Sequence, residues 1–98
     1  NEVTAILKGH NDHITEIKHY KSYKEINILL SSSYDNTLLI WDLINFKLVC
    51  SIKSNSWILS SCITILEEQE RVFFVGGFSK NCPVKYCDIN LFYQIKNN

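Results

Sequence analysis

The chain has 98 residues, enough for one small domain, and its ten basic and ten acidic residues cancel. A neutral chain has no overall electrostatic field that would attract nucleic acid or an anionic membrane surface. No apolar run approaches the roughly eighteen residues that span a bilayer, and the first residues lack the charged-then-apolar pattern of a secretory leader. We therefore expect an intracellular protein, cytoplasmic or nuclear, that is not inserted in a membrane.

The cysteines indicate the redox environment. They are Cys50, Cys62, Cys82 and Cys87, and they stand among apolar residues typical of strands. No Cys-x-x-Cys pair provides the spacing of a zinc site. We expect free structural thiols in a reducing compartment, and neither a bound metal nor another cofactor.

The hydrophobic pattern predicts strands along the whole chain. Alternating or β-branched apolar runs, bounded by turn residues, are typical of half-buried strands. In chain order they cover residues 2–7, 14–19, 26–33, 38–43, 48–53, 58–66, 71–77, 84–89 and 91–95. No apolar pattern keeps a helical period of about 3.6 residues, so we predict no helix.

The clearest element is a β-hairpin whose turn is formed by Ser33 through Thr37. Serine, asparagine and aspartate side chains hydrogen-bond to nearby backbone and so favour turns. The isoleucine, leucine and tryptophan residues on either side fit a pleated, half-buried surface. This hairpin sets the register for the rest of the prediction.

Two further motifs frame the hairpin, Gly9-His10 before it and Trp41-Asp42 at its end. Together they give the Gly-His and Trp-Asp signature of a propeller blade, and the segment from Leu7 to Ile52 resembles the WD40 repeat family. The run Ser31-Ser32-Ser33-Tyr34-Asp35-Asn36-Thr37-Leu38-Leu39-Ile40-Trp41-Asp42 is similar to the central hairpin of that family.

The resemblance implies an all-β fold of antiparallel four-stranded blades, a two-blade segment of a WD40-type β-propeller. Residues 1–8 would form the outer strand of a preceding blade, residues 9–53 the blade with the signature, and residues 54–98 a degenerate blade. Because propellers generally have four to eight blades, we expect the remaining faces to be covered by more of the same propeller or by neighbouring chains.

Four polar side chains admit two interpretations. His10, Ser31 and Asp35 are the residue types of a serine-hydrolase triad, which would need an exposed hydroxyl beside an oxyanion site. Ser31, however, falls inside a predicted strand. The resemblance instead implies a structural tetrad in which Trp41 donates to Ser31, Ser31 bonds His10, and His10 bonds Asp35. We therefore expect a protein that is not an enzyme.

The remaining candidates concern partners. By the resemblance, the loops at one end of the blades contact other proteins, and this chain contributes His13, Tyr34, Phe78 and Lys80 there. The alternative is an RNA-binding subunit. In segment 18–24 basic residues are interleaved with aromatic residues, a combination that suits single-stranded nucleic acid. The candidate residues of this alternative are Lys18, Tyr20, Lys21, Tyr23 and Lys24. A regulatory domain of a larger enzyme ranks third. We expect a non-catalytic scaffold for protein–protein interaction.

Overall fold

The computed structural model describes residues 2–22, 26–66, 69–77 and 83–96 as two antiparallel sheets with one short helix. The elements are β1 (Ile14–Ser22), β2 (Ile26–Ser33), β3 (Thr37–Asp42), β4 (Lys47–Lys53), β5 (Ser60–Leu66), β6 (Gln69–Val75), β7 (Lys85–Ile89) and α1 (Leu91–Lys96). Sheet A has four strands in the order β1-β2-β3-β4 and sheet B has three in the order β5-β6-β7. The all-β prediction is confirmed at this level.

Sheet A forms around the predicted hairpin. In β2 the buried side chains alternate through Ile26, Ile28 and Leu30, as expected for a strand with one face in the core. Asn36 lies in the turn with a φ of 69°, the left-handed conformation that asparagine tolerates better than most residues. The hairpin therefore has both the strand pattern and the turn residue that its register requires.

Sheet B also has strands that bury one face and expose the other, but it has three strands where sheet A has four. In β6 the burial alternates, so that Val72 and Phe74 face the core while Arg71 and Phe73 face away. On that outer face the Arg71 guanidinium donates to the Asp88 carboxylate and lies 4.5 Å from the centre of the Tyr86 ring. The outer face of sheet B thus combines aromatic rings with an internally paired charge.

The two sheets share one hydrophobic core. Its buried members come from both sheets, from the segment before β5 and from α1: Ile26, Ile28, Leu30, Leu38, Ile40, Ile58, Val72, Phe74, Ile89 and Leu91. Polar contacts close one end of this interface, where the Glu16 carboxylate accepts hydrogen bonds from the Ser60 hydroxyl at 2.9 Å and the Ser61 N–H at 3.2 Å. The hydroxyl of Thr15 donates to the carbonyl of Ile58 at 2.7 Å. Sheet A therefore packs on sheet B through β1 and β2, which contact β5 and the segment that precedes β5.

Three predictions of secondary structure are wrong. Residues 2–7 form no strand, and Val3 and Ile6 are 79% and 71% exposed. An extended segment becomes a strand only when another chain segment completes its ladder of hydrogen bonds, and none does so within the described part of the chain.

Residues 91–95, predicted as a strand, belong to α1, so the prediction of no helix also fails. The Asn90 side chain accepts a hydrogen bond from the Tyr93 N–H at 3.4 Å, and the Glu70 carboxylate accepts one from the Leu91 N–H at 3.1 Å. These acceptors satisfy N–H groups of the first turn, which have no partner within the helix. Sheet B therefore has three strands where four were expected. The helix has six residues, and no helix of the described residues is long and apolar enough to cross a membrane.

Candidate functional site

The four side chains of the proposed tetrad lie in one hydrogen-bonded chain. Ser31 on β2 and Trp41 on β3 are brought together by strand pairing, and the indole Nε1–H donates to Ser31 Oγ at 2.8 Å. Ser31 Oγ lies 2.6 Å from Nε2 of His10, which reaches over from the segment before β1. On its other side, Nδ1 of His10 lies 3.0 Å from Oδ2 of Asp35 in the hairpin turn.

Asp35 is the ionic end of this chain. Its carboxylate accepts hydrogen bonds from His10 Nδ1, from the Asn11 N–H at 2.9 Å, and from both the N–H and the hydroxyl of Thr37. Burial alone would raise the pKa of Asp35, but the Thr37, Asn11 and His10 hydrogen bonds outweigh it and lower the pKa from 3.8 to about 2. Asp35 is therefore ionised at neutral pH.

An ionised Asp35 fixes the direction of the other hydrogen bonds. Because a carboxylate only accepts, Nδ1 of His10 must carry the proton that it donates. In a neutral ring Nε2 then accepts, so the Ser31 hydroxyl donates to it and uses its lone pair for the Trp41 indole. Each donor of the tetrad meets an acceptor, as buried polar groups require.

Burial favours a structural role for the tetrad. Ser31 and Trp41 are 2% and 4% exposed, and the His10 side chain is 6% exposed. The leading segment crosses this face so closely that a Cβ added at Gly9 would lie 3.0 Å from the Trp41 ring. The hydrogen bonds thus anchor the segment before β1 onto sheet A, with the Ser31 hydroxyl enclosed beneath it.

Beside the tetrad, three rings form a row at the end of the sheets. Tyr34 lies between His13 and Trp57, with ring centres 6.3 Å from His13 and 4.2 Å from Trp57. The side chain of His13 is 85% exposed, while Tyr34 and Trp57 are half-buried. We call His13, Tyr34 and Trp57 the aromatic row.

The backbone beneath the aromatic row is held by hydrogen bonds that centre on Ser33. The carbonyl of His13 accepts from the Tyr34 N–H at 3.0 Å and from the Ser33 hydroxyl at 2.8 Å. The carbonyl of Ser33 accepts from the Ile58 N–H at 3.2 Å. Three separate chain segments are therefore fixed to each other, and each of them carries one ring of the aromatic row.

Trp57 was not among the predicted site residues. It stands in an irregular segment between the sheets, after Ser54-Asn55-Ser56, where no periodic pattern indicates a role. The carbonyl oxygen of Trp57 lies against Gly76, the residue after β6. A Cβ added at Gly76 would lie 1.7 Å from that oxygen. The paired glycines Gly76 and Gly77, the second with a φ of 95°, are the one sequence signal near this contact.

The aromatic row carries negative charge at its His13 end. Oδ1 of Asp12 accepts hydrogen bonds from the His13 N–H at 2.7 Å and from its ring Nδ1 at 2.8 Å, and these lower the pKa of Asp12. Asp35 is close enough for its charge to act on Asp12. Within residues 2–22, 26–66, 69–77 and 83–96, no lysine or arginine makes an ion pair with either carboxylate.

The structure describes two of the four residues predicted to contact a partner protein. His13 and Tyr34 lie together in the aromatic row, while Phe78 and Lys80 fall outside the described residues. In the alternative basic segment, Tyr23 and Lys24 also fall outside them.

The described part of that basic segment belongs to β1, which sends alternate side chains to opposite faces. Lys18 and Tyr20 pair with Leu30 and Ile28, on the core side of the sheet, whereas Lys21 pairs with Asn27 on the other side. The Lys18 ammonium also lies 3.6 Å from the Glu16 carboxylate. The basic and aromatic side chains of β1 thus do not form one continuous surface.

Cysteine and histidine side chains are dispersed. Cys50, Cys62 and Cys87 are free thiols, while Cys82 falls outside the described residues. Among the side chains that the structure describes, no three histidine, cysteine, aspartate or glutamate groups form a metal-binding cluster.

Comparison with protein-family profiles, with curated proteins and with solved structures finds no match for this chain.

Proposed function

We propose that this chain is a non-catalytic scaffold that binds another protein through the aromatic row, and that its two sheets are adjoining blades of a WD40-type β-propeller. The observation that carries the binding proposal is the fixed geometry of His13, Tyr34 and Trp57 at one end of the sheets. Aromatic side chains supply large contact areas and are enriched among residues that dominate binding energy.

Preorganisation strengthens this argument. A binding surface that must be ordered on contact loses affinity to the entropy of ordering it. Here the Ser33 hydroxyl and carbonyl already tie the three segments together, so little ordering of the backbone remains. Tyrosine and tryptophan also have only two side-chain torsions to fix, which lowers that cost further.

The propeller proposal has its own support. The hydrogen bonds from Trp41 to Ser31, from Ser31 to His10 and from His10 to Asp35 follow the order that the family resemblance implies. Sheets A and B also share one core, as neighbouring blades do. The expected scaffold would be intracellular, with other blades or chains on its remaining faces.

The test compares two sets of variants in quantitative affinity capture, followed by reconstitution with the purified partner. We expect Tyr34→Ala to remove the specific partner, whereas charge reversal at Lys18, Lys21 and Lys24 leaves it bound. Central aromatic anchors can contribute about 2 kcal/mol or more to binding, while exposed lysines contribute little beyond association rate.

Salt dependence separates the alternatives in the same experiment. Binding that survives Tyr34→Ala, disappears on triple charge reversal and weakens steeply with salt would replace the scaffold proposal with nucleic-acid binding. Both sets of variants are first checked for an unchanged unfolding midpoint, so that a loss of binding reports on the surface and not on the fold.

A further inference from the structure

Asp12 extends the aromatic row into a surface that is aromatic along most of its length and anionic at one end. Its side chain is 47% exposed. Asp12 precedes His13 in the chain, and its carboxylate hydrogen-bonds the His13 ring at the end of the aromatic row. Both internal hydrogen bonds to this carboxylate use Oδ1. Among the described residues nothing donates to Oδ2, which leaves that oxygen available to a partner.

A second carboxylate gives the anionic end its character. Asp35 lies directly beneath the row, next to Tyr34 in the chain, and its side chain is 8% exposed. It is thus too enclosed to contact a partner itself. Its charge is compensated inside the fold only by hydrogen-bond donors and not by a lysine or arginine of the described residues. A cation brought to Asp12 therefore experiences both carboxylates.

We propose that the aromatic row and Asp12 together recognise an arginine side chain of a partner polypeptide. The guanidinium would donate to Oδ2 of Asp12 while its plane and aliphatic stem lie on the rings of His13 and Tyr34. This proposal rests on the proposed protein-binding function and names the chemistry that the partner must present.

Arginine fits this surface better than lysine for geometric reasons. A guanidinium is planar, stacks on aromatic rings and donates from several N–H groups in a fixed fork. Its stem covers apolar surface while its charged end remains at the edge, which matches a row of rings that ends at a carboxylate. A cation above an aromatic face is attracted to the ring even at an exposed site. Lysine, a strongly hydrated point charge, gains less from stacking.

The test uses pooled octapeptides in which the fourth position is fixed as Arg, Lys, Gln or Glu and the other positions vary. The pools are bound to the 98-residue chain. We expect retention in the order Arg, Lys, Gln, Glu, with the arginine pool retained about five- to tenfold more than the glutamine pool. Raising the salt concentration should reduce this difference without abolishing binding.

Three variants distinguish the contributions. Asp12→Asn should remove most of the preference for arginine over glutamine while some binding of both pools remains. Tyr34→Ala should remove retention of every pool. Asp88→Asn changes a carboxylate that pairs with Arg71 on the outer face of sheet B, and it should leave all pools unchanged. Circular dichroism of each variant confirms that the fold is retained.

The outcomes separate this inference from the proposed function. Equal retention of the four pools, in a manner that Tyr34→Ala abolishes, would overturn the arginine inference and leave the binding surface intact. An arginine preference that persists in Asp12→Asn would also overturn it. If Tyr34→Ala changes no retention at all, the aromatic row is not a binding surface, and both proposals fail together.

Discussion

Replacing Asp35 with asparagine tests the tetrad with little change of shape. The folded state lowers the pKa of Asp35 from 3.8 to about 2, so the folded protein binds fewer protons there than the unfolded chain does. That difference contributes about 2 kcal/mol of stability at pH 7. The side chain is 8% exposed, so solvent screening removes little of it. Asp35→Asn should therefore lower the free energy of unfolding by about 2 kcal/mol at pH 7.

The pH dependence provides a sharper test than the loss alone. A carboxylate with a lowered folded-state pKa stabilises fully above its unfolded value of 3.8 and loses this effect as the pH falls through about 2. At pH 3 about half of the contribution remains, so the difference between wild type and Asp35→Asn should fall to about 1 kcal/mol.

Urea unfolding, followed by tryptophan fluorescence and circular dichroism, measures both values. A loss of about 2 kcal/mol shifts the midpoint by about 1 M for a domain of this size. Glu2→Gln, which removes an exposed carboxylate that makes no hydrogen bond or ion pair among the described residues, serves as the control and should unfold at the wild-type midpoint. A wild-type midpoint for Asp35→Asn at pH 7, or a difference that does not shrink at pH 3, would refute the reasoning.

Three further predictions concern other contacts. Ser31 should stay unlabelled by a fluorophosphonate probe, and Ser31→Ala should cost about 1–3 kcal/mol because the buried indole N–H loses its acceptor; stoichiometric labelling of Ser31 would contradict the structural role. Cys62, which is exposed, should react with iodoacetamide before Cys50, whose burial raises its pKa; equal rates in peptide mapping would contradict this. Gly76→Ala should destabilise the fold by roughly 1–3 kcal/mol, because its Cβ would lie 1.7 Å from the Trp57 carbonyl oxygen; an unchanged melting temperature would show that this contact is easily relieved.

The sequence was sufficient to predict the elements whose pattern and turn chemistry agree. Strand β2 was predicted with its observed bounds, because a period of two residues and a serine-rich turn point to the same register. Strand β3 begins and ends one residue earlier than predicted, and β4 begins one residue earlier but ends as predicted. Each of these strands is short and bounded by residues that favour turns.

Elements that depend on distant partners could not be predicted in this way. Residues 2–7 alternate as a strand does, yet pairing requires a neighbour that the local pattern does not specify. In residues 91–95 the short apolar run is compatible with strand or helix, and the carboxylate of Glu70 helps to decide in favour of a helix. Trp57 was missed for the same reason, since its role arises from Tyr34, which is distant in sequence.

The tetrad and the aromatic row meet in the hairpin turn, where Tyr34 stands between Ser33 and Asp35. The Ser33 hydroxyl accepts from the Asp35 N–H at 3.1 Å and donates to the carbonyl of His13, so the turn that holds the buried carboxylate also positions two rings of the row. Asp35→Asn should therefore weaken peptide binding, and Ser31→Ala, which leaves the Asp35 charge in place, should weaken it too. Titration under conditions where the variant remains fully folded, with Ser31→Ala as a second tetrad variant, measures this effect. A variant that is destabilised but binds peptides with wild-type affinity would show that the tetrad holds the sheet without setting the geometry of the row.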